Sequence, residues 1–203
     1  TDYTIPVQDP HTNAGFGWRI QPGRLMDGVQ AIFDPAYLSP DGGQHGLYTQ
    51  LHPGYPGAGT QPDTWFTNDS TYLRMRLFPA AAGVCTAAPG STSGDCYRIE
   101  FPDGEIHELH DFSAIPNKPD WRVTRITDVF AHDHYVEIDY SVADEWTVTD
   151  SHGRTQTIHF TGGVVSSVEL SAFGGATATY TLVHTPTEIE RQKYGPPDCV
   201  DGS

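Results

Sequence analysis

Positive charge is scarce in this chain of 203 residues: 11 Lys and Arg stand against 26 Asp and Glu, for a formal net charge of −15. Nucleic-acid binding is built on Lys and Arg neutralising phosphates, so this balance argues against a nucleic-acid partner, and against anionic membrane surfaces for the same reason. The acidic residues are scattered rather than gathered in a tail, which reads as a solvated surface that keeps a β-rich protein soluble. Long apolar runs are missing as well. No stretch of about 18 apolar residues occurs, so no membrane-inserted helix is expected. The opening residues TDYTIPVQDPHT lack the basic and apolar regions of a secretory signal, so an exported protein would be a processed or truncated chain. Helix signals are nearly absent: only PTEIERQKYG, residues 186–195, offers a cap at Thr187 and a stop at Gly195, and its apolar face is thin.

Cysteine is sparse, with three residues. Cys85 and Cys96 flank TAAPGSTSGD, a small and polar segment that a disulfide would restrain. Closing so short a loop stabilises by less than about 3 kcal/mol in the chain-entropy model, and the bond persists in an oxidising compartment. The alternative is a pair of free buried thiols; one CX10C pair with no second pair nearby is a poor zinc pattern. Cys199 is left over in YGPPDCVDGS, either free or paired beyond this chain.

What the chain does have is turns and alternation. Its 21 Gly and 16 Pro imply many turns at a length suited to one domain or one and a half. β-type stretches appear at residues 29–34, 45–51 and 72–78, the last with Leu73, Met75 and Leu77 on one face. Further along, Val136, Ile138 and Tyr140, then Trp146 and Val148, then Val168 and Leu170, then Ala178, Tyr180 and Leu182 keep the same two-residue period. The fold expected is all-β, with antiparallel hairpins in a continuous twisted sheet and little helix.

Two internal echoes organise that pattern. Asp128 and Asp150 are 22 residues apart, and a further step of 22 reaches Ala172, where the turn recurs without the Asp. A repeat of this length implies units that cannot bury a face alone and must stack on neighbours. Earlier, SPDGGQHGLY (39–48) and FPDGEIHELH (101–110) both read DGxxHxL, with Asp41-Gly42 and Asp103-Gly104 as hairpin turns. Residues 1–97 read as a lead-in and irregular β region, 98–185 as hairpin repeats, and 186–203 as a tail.

Few residues suggest chemistry. Among ten histidines, His107 and His110 form HxxH, but residues three apart on a strand face opposite ways. His132 and His134 share a parity, in a segment that reads as a polar turn. His45 and His107 occupy equivalent places in the DGxxHxL echo, which favours packing or hydrogen bonding. No GxSxG elbow and no Cys-His spacing is present. Carboxylate pairs are too many for the sequence to nominate one for glycoside hydrolysis. No catalytic, cofactor or metal residue is therefore assigned, and no enzyme is expected. Residues 53–68 form a long loop in which Tyr55, Trp65 and Phe66 offer aromatic faces for a glycan. Asn68-Asp69-Ser70 is an N-glycosylation sequon, relevant in a eukaryotic secretory route.

TDSHGRTQTIHF, with DxxGR followed by an alternating strand and an aromatic, resembles the Rhs or YD-repeat family. RITDVFAHDHYVEIDY resembles that family's strand-turn-strand unit, IEFPDGEIHEL its FPDG hairpin, and GFGWRIQPGRL the Gly-rich Trp segment preceding the repeats. The resemblance covers roughly residues 14–52 and 98–185. Asp139-Tyr140 stands in reversed order to the family's Tyr-Asp, and the family's self-cleavage motif is absent. The resemblance implies hairpins wound into a continuous sheet that, in long members, forms a shell around cargo. At this length the expectation is an N-terminal portion or a small relative that stacks with copies of itself, secreted or at the cell surface. Its expected partners are the continuation of its own polypeptide or further copies; glycan binding and a secreted hydrolase stand as alternatives.

Overall fold

Alternation with a period of two and frequent Gly-containing turns give thirteen strands in a computed structural model that describes residues 13–14, 20–26, 35–48, 64–67, 69–114, 119–130 and 133–185. In chain order they are β1 (Arg24–Met26), β2 (Ala36–Leu38), β3 (Gln44–Tyr48), β4 (Thr64–Thr67), β5 (Arg74–Phe78), β6 (Cys96–Glu100), β7 (Ile106–Asp111), β8 (Trp121–Thr127), β9 (Tyr135–Asp139), β10 (Glu145–Asp150), β11 (Thr155–Thr161), β12 (Val164–Ser171) and β13 (Thr177–Thr181). Each pairs antiparallel with the next in one meandering sheet, as the alternation predicts. The helical turns among the described residues are two short 3-10 pieces, Ala80–Ala82 and Phe173–Gly175. No helix among the described residues is long and apolar enough to cross a membrane.

The first eight strands close on themselves. Arg24 of β1 pairs with Arg122 of β8, and the Val123 N–H donates to the Gly23 carbonyl at 3.0 Å. Eight strands enclose a space that side chains can fill. Leu25, Tyr37, Leu47, Leu73, Met75, Ile99, Leu109 and Val123 fill it, with Trp65, Tyr97 and Phe101 packed alongside. Leu73 and Met75 are buried, as their strand parity predicts.

β8 has the same edge bonded to two partners. Its residues 122–123 serve β1, while Arg125, Ile126 and Thr127 pair with Glu137, Val136 and Tyr135 of β9. The change of partner falls at a register shift: Glu108 faces Arg125 and Leu109 faces Val123, which leaves Thr124 as the extra residue. A bulge of this kind bends a strand and increases its twist. The sheet forks there, and β9 to β13 leave the barrel as a five-stranded arm.

The echoes in the sequence are turns. In the DGxxHxL pair the Ser39 N–H bonds the Gly43 carbonyl and the Phe101 N–H bonds that of Glu105; in the arm, Asp150 closes on Arg154 and Ala172 on Ala176 in the same way. Each is a three-residue connection whose last residue is a glycine with φ between 76° and 105°, namely Gly42, Gly104, Gly153 and Gly175. Such a connection needs a left-handed residue at that point. Asp128, first member of the 22-residue series, closes a longer turn on His134. The period is thus one strand out, one strand back and their turns, with Asp128, Asp150 and Ala172 each opening a turn.

Register gives the arm two unlike faces. Trp146, Ile158, Val168 and Tyr180 are successive cross-strand partners, as are Ile138, Val148, Gln156, Leu170 and Ala178. The opposite face carries Asp139, Thr147, Thr157, Glu169 and Thr179. β6 runs continuously through residues 97 and 98, and the β-type stretch at 29–34 and the helix signal at 186–195 lie outside the described residues.

Candidate functional site

The fork creates a wedge between the outside of the barrel at β1 and the apolar face of the arm. Arg24 and Arg122 alternate with the inward Leu25 and Val123, so they project outward toward the wedge. Across from them stand Tyr140, Trp146 and Phe160, and the rim carries Asn13, Gln21, Asp120 and Asp144, around a cleft of about 390 Å³. The aromatic floor is continuous: ring centroids of Tyr140 and Trp146 lie 5.5 Å apart, those of Trp146 and Phe160 4.6 Å apart. Tyr140 is fixed at its base by a 2.7 Å bond from its hydroxyl to the Val123 carbonyl, and burial pushes that phenol's pKa up. It therefore stays a neutral donor.

The Arg122 guanidinium is fixed by three neighbours. Arg122 donates through Nε to Asp120 Oδ2 at 2.9 Å while its Cζ lies 5.4 Å from the Tyr140 ring centre and 5.6 Å from that of Phe112. Held between a carboxylate and two rings, it is oriented rather than free to swing. Asp144 sits in the turn between β9 and β10 with φ 59°, a conformation uncommon for a residue with a side chain. Gln21 donates through Nε2 to the Ser39 carbonyl at 3.1 Å, and its Oε1 is buried with no donor among the described residues.

A second cleft, of about 280 Å³, lies on the polar face of the fork, between residues 86–89 and Thr124, Arg125, Glu137, Asp139, Thr147 and Thr149. Its outer wall is the loop stapled by the Cys85–Cys96 disulfide, the pairing expected from the sequence. That loop is docked by the Thr86 N–H on Glu108 Oε2 at 3.1 Å and by the Thr92 N–H on the Asp111 carbonyl at 2.8 Å. Arg125 is occupied in it, bonded to Glu137 at 2.6 Å and stacked 3.6 Å over the Tyr135 ring.

The histidines serve other ends. His107 points into the barrel and contacts the Tyr37 hydroxyl through Nδ1 and Glu105 through Nε2, the latter at 2.6 Å. Burial lowers its pKa, against the opposing pull of Glu105. His110, on the other face as strand parity requires, is buried against Thr124, and that burial lowers its pKa too. His132 lies outside the described residues, and His134 approaches Asp128 at 3.8 Å. Among the described residues no three His, Cys, Asp or Glu side chains gather as a metal site.

One constellation was not visible in the sequence. Ser39 Oγ lies 3.4 Å from His45 Nε2, and His45 Nδ1 lies 3.0 Å from Asp69 Oδ2, an order reminiscent of a nucleophile, base and orienting acid. The Ser39 hydroxyl, however, bonds the Asp41 carboxylate and the Gly43 carbonyl, and Ser39 is buried. The Gly42 and Gly43 N–H groups of the same turn are both spent inside it. Ser39 and Asp41 brace the β2–β3 turn. Asp41 is held below the usual carboxyl range by the Ser39 hydroxyl first. For Asp69, bonds from Thr71 and His45 outweigh the upward push of burial.

Of the aromatic residues expected to meet a glycan, Tyr55 lies outside the described residues. Trp65 packs against the barrel core, 5.5 Å from the Tyr97 ring, and Phe66 is next to it on β4, facing the other side. The aromatic cluster that does line a cleft, Tyr140, Trp146 and Phe160, shows in the sequence only as ordinary alternation. Its meeting with Arg24 and Arg122 depends on barrel closure, which no local motif announces. No protein-family model, no curated protein and no solved structure matches this chain.

Proposed function

We propose that this chain is a structural β-module that works outside the cell by joining its arm to a second copy of itself. The observation carrying this reading is β13. Its sequence, TATYT, has no charge and no proline, and among the described residues it is the last strand of the arm, with strongly exposed residues. Edge strands left to water are usually blunted with Lys, Pro or a bulge; this one has none of those devices. The Leu182 N–H bonds Ser166 and the Ala176 carbonyl accepts from Ala172, so even-numbered residues face β12 and the backbone groups of Thr177, Thr179 and Thr181 face outward.

Antiparallel pairing of β13 with β13 about a twofold at Thr179 sets Tyr180 of one copy across from Ala178 of the other. The apolar stripe through Trp146, Ile158, Val168 and Tyr180 then continues into the partner arm. A single-layer arm with one apolar face is the kind of unit that gains from such stacking. The Asp150–Arg154 turn, in which Asp150 accepts from the His152 and Arg154 N–H groups, gives the DxxGR motif of the Rhs-like resemblance a physical role. The disulfide suits a secreted or surface setting.

Sedimentation equilibrium tests the reading. The chain is expected to self-associate reversibly, and Thr179→Pro, which removes an outward N–H and no bond to β12, is expected to make it monomeric with its unfolding midpoint retained. A monomer at all concentrations, or association unaffected by Thr179→Pro, would refute it.

A further inference from the structure

The wedge at the fork carries a separate inference, independent of the β13 edge. We infer that the cleft lined by Gln21, Arg24, Arg122, Tyr140, Trp146 and Phe160 binds a neutral pyranose, as a single sugar or the end of a glycan.

Its chemistry narrows the ligand by elimination. A wholly apolar molecule would sit on the aromatic floor but desolvate the Asp144 and Asp120 carboxylates at a cost. An anion would find the Arg122 guanidinium already bonded to Asp120 and would meet two carboxylates at the rim of a chain whose net charge is −15. A cation would face Arg24 and Arg122. A neutral ring with one C–H face and a perimeter of hydroxyls meets all of these demands. Its apolar face lies on Trp146 and Phe160, hydroxyls donate to Asp144, and a hydroxyl oxygen accepts from the Arg122 N–H groups that Asp120 leaves over. The volume of about 390 Å³ lies within the range of small-molecule sites.

The backbone supports the same reading. Asp144 holds φ 59°, where glycine would be unstrained, so the carboxylate stands at the cleft rim at a local conformational cost. Its own carbonyl accepts from the Phe160 N–H at 2.8 Å, which ties the rim to the aromatic floor. Rim and floor are positioned together.

The test is a titration followed by the Trp146 indole N–H resonance, assigned with a Trp146→Phe variant, against methyl glucoside, methyl galactoside, methyl mannoside, methyl N-acetylglucosaminide, and the disaccharides cellobiose, maltose and chitobiose. At least one sugar is expected to shift that resonance saturably. Arg122→Gln and Asp144→Gly are each expected to weaken the binding at least fivefold, the second with the turn intact because glycine accepts its φ. No saturable shift with any of these sugars would overturn the inference. So would binding left unchanged in both variants when their unfolding midpoints match the parent's.

Discussion

His110 Nδ1 lies 2.8 Å from Thr124 Oγ1, on the residue where β8 changes partner from β1 to β9. The Thr124 hydroxyl donates onward to the Glu108 carbonyl at 3.3 Å, so its remaining capacity is to accept from the imidazole. Both residues are buried. The bulge that forks the sheet is therefore held by a side-chain hydrogen bond and not by backbone pairing alone.

Thr124→Val keeps the shape and deletes the hydroxyl, leaving a buried imidazole N–H without an acceptor. A loss of about 1–3 kcal/mol is expected, with Thr124→Ser largely restoring it. Urea unfolding of the three proteins checks this; equal stability for Val and Thr would show that the bond does not hold the fork.

Gly23 closes the barrel seam with φ +117°, and a Cβ there would stand 2.7 Å from the Tyr37 hydroxyl and 2.9 Å from Val123 Cγ2. Gly23→Ala combines strain with a clash against two core residues. Destabilisation of upwards of about 2 kcal/mol is expected, with faster amide exchange at Val123, whose N–H bonds the Gly23 carbonyl.

Acid sensitivity should begin near neutrality. Burial lowers the pKa of both His107 and His110 in the folded protein, while the unfolded chain titrates near 6.5. Between those values the unfolded state binds more protons, so stability is complete above about pH 6.5 and falls as the pH drops toward the folded values. Glu100 adds a second phase at lower pH. Although burial pushes its carboxyl up, Arg76 and Arg74 outweigh that and hold it below the usual range, so its contribution is lost as it protonates. Urea midpoints measured from pH 7.5 down to 5.5 should decline; a flat profile would contradict the burial of both histidines.

Reduction of Cys85–Cys96 releases the wall of the polar cleft. Stability is expected to fall by less than about 3 kcal/mol, and residues 86–95 are expected to become cleavable by protease while the barrel, whose closure lies elsewhere, persists.

Much of this fold is legible in the sequence, because a period of two in Leu73, Met75 and Leu77 or in Trp146 and Val148 has one structural solution. The 22-residue step from Asp128 to Ala172 likewise becomes a series of turns. Barrel closure is not legible. It depends on one short contact between Arg24 and Arg122, nearly one hundred residues apart, and on a bulge at Thr124 that looks in sequence like any other strand position. For the same reason the aromatic wedge was hidden: Tyr140, Trp146 and Phe160 read as core alternation until the fork brings two arginines against them. Trp65 showed the converse, an aromatic in a Gly- and Pro-rich setting that strand parity directs toward the barrel core.

The proposed β13-to-β13 junction can be tested most directly by amide exchange at Thr177, Thr179 and Thr181, the residues whose N–H groups face away from β12. Exchange should be fast in dilute solution and become protected as concentration rises, while Ala178 and Tyr180 stay protected throughout. Exchange at the three threonines that does not change with concentration, whether fast or slow, would contradict a β13-to-β13 junction.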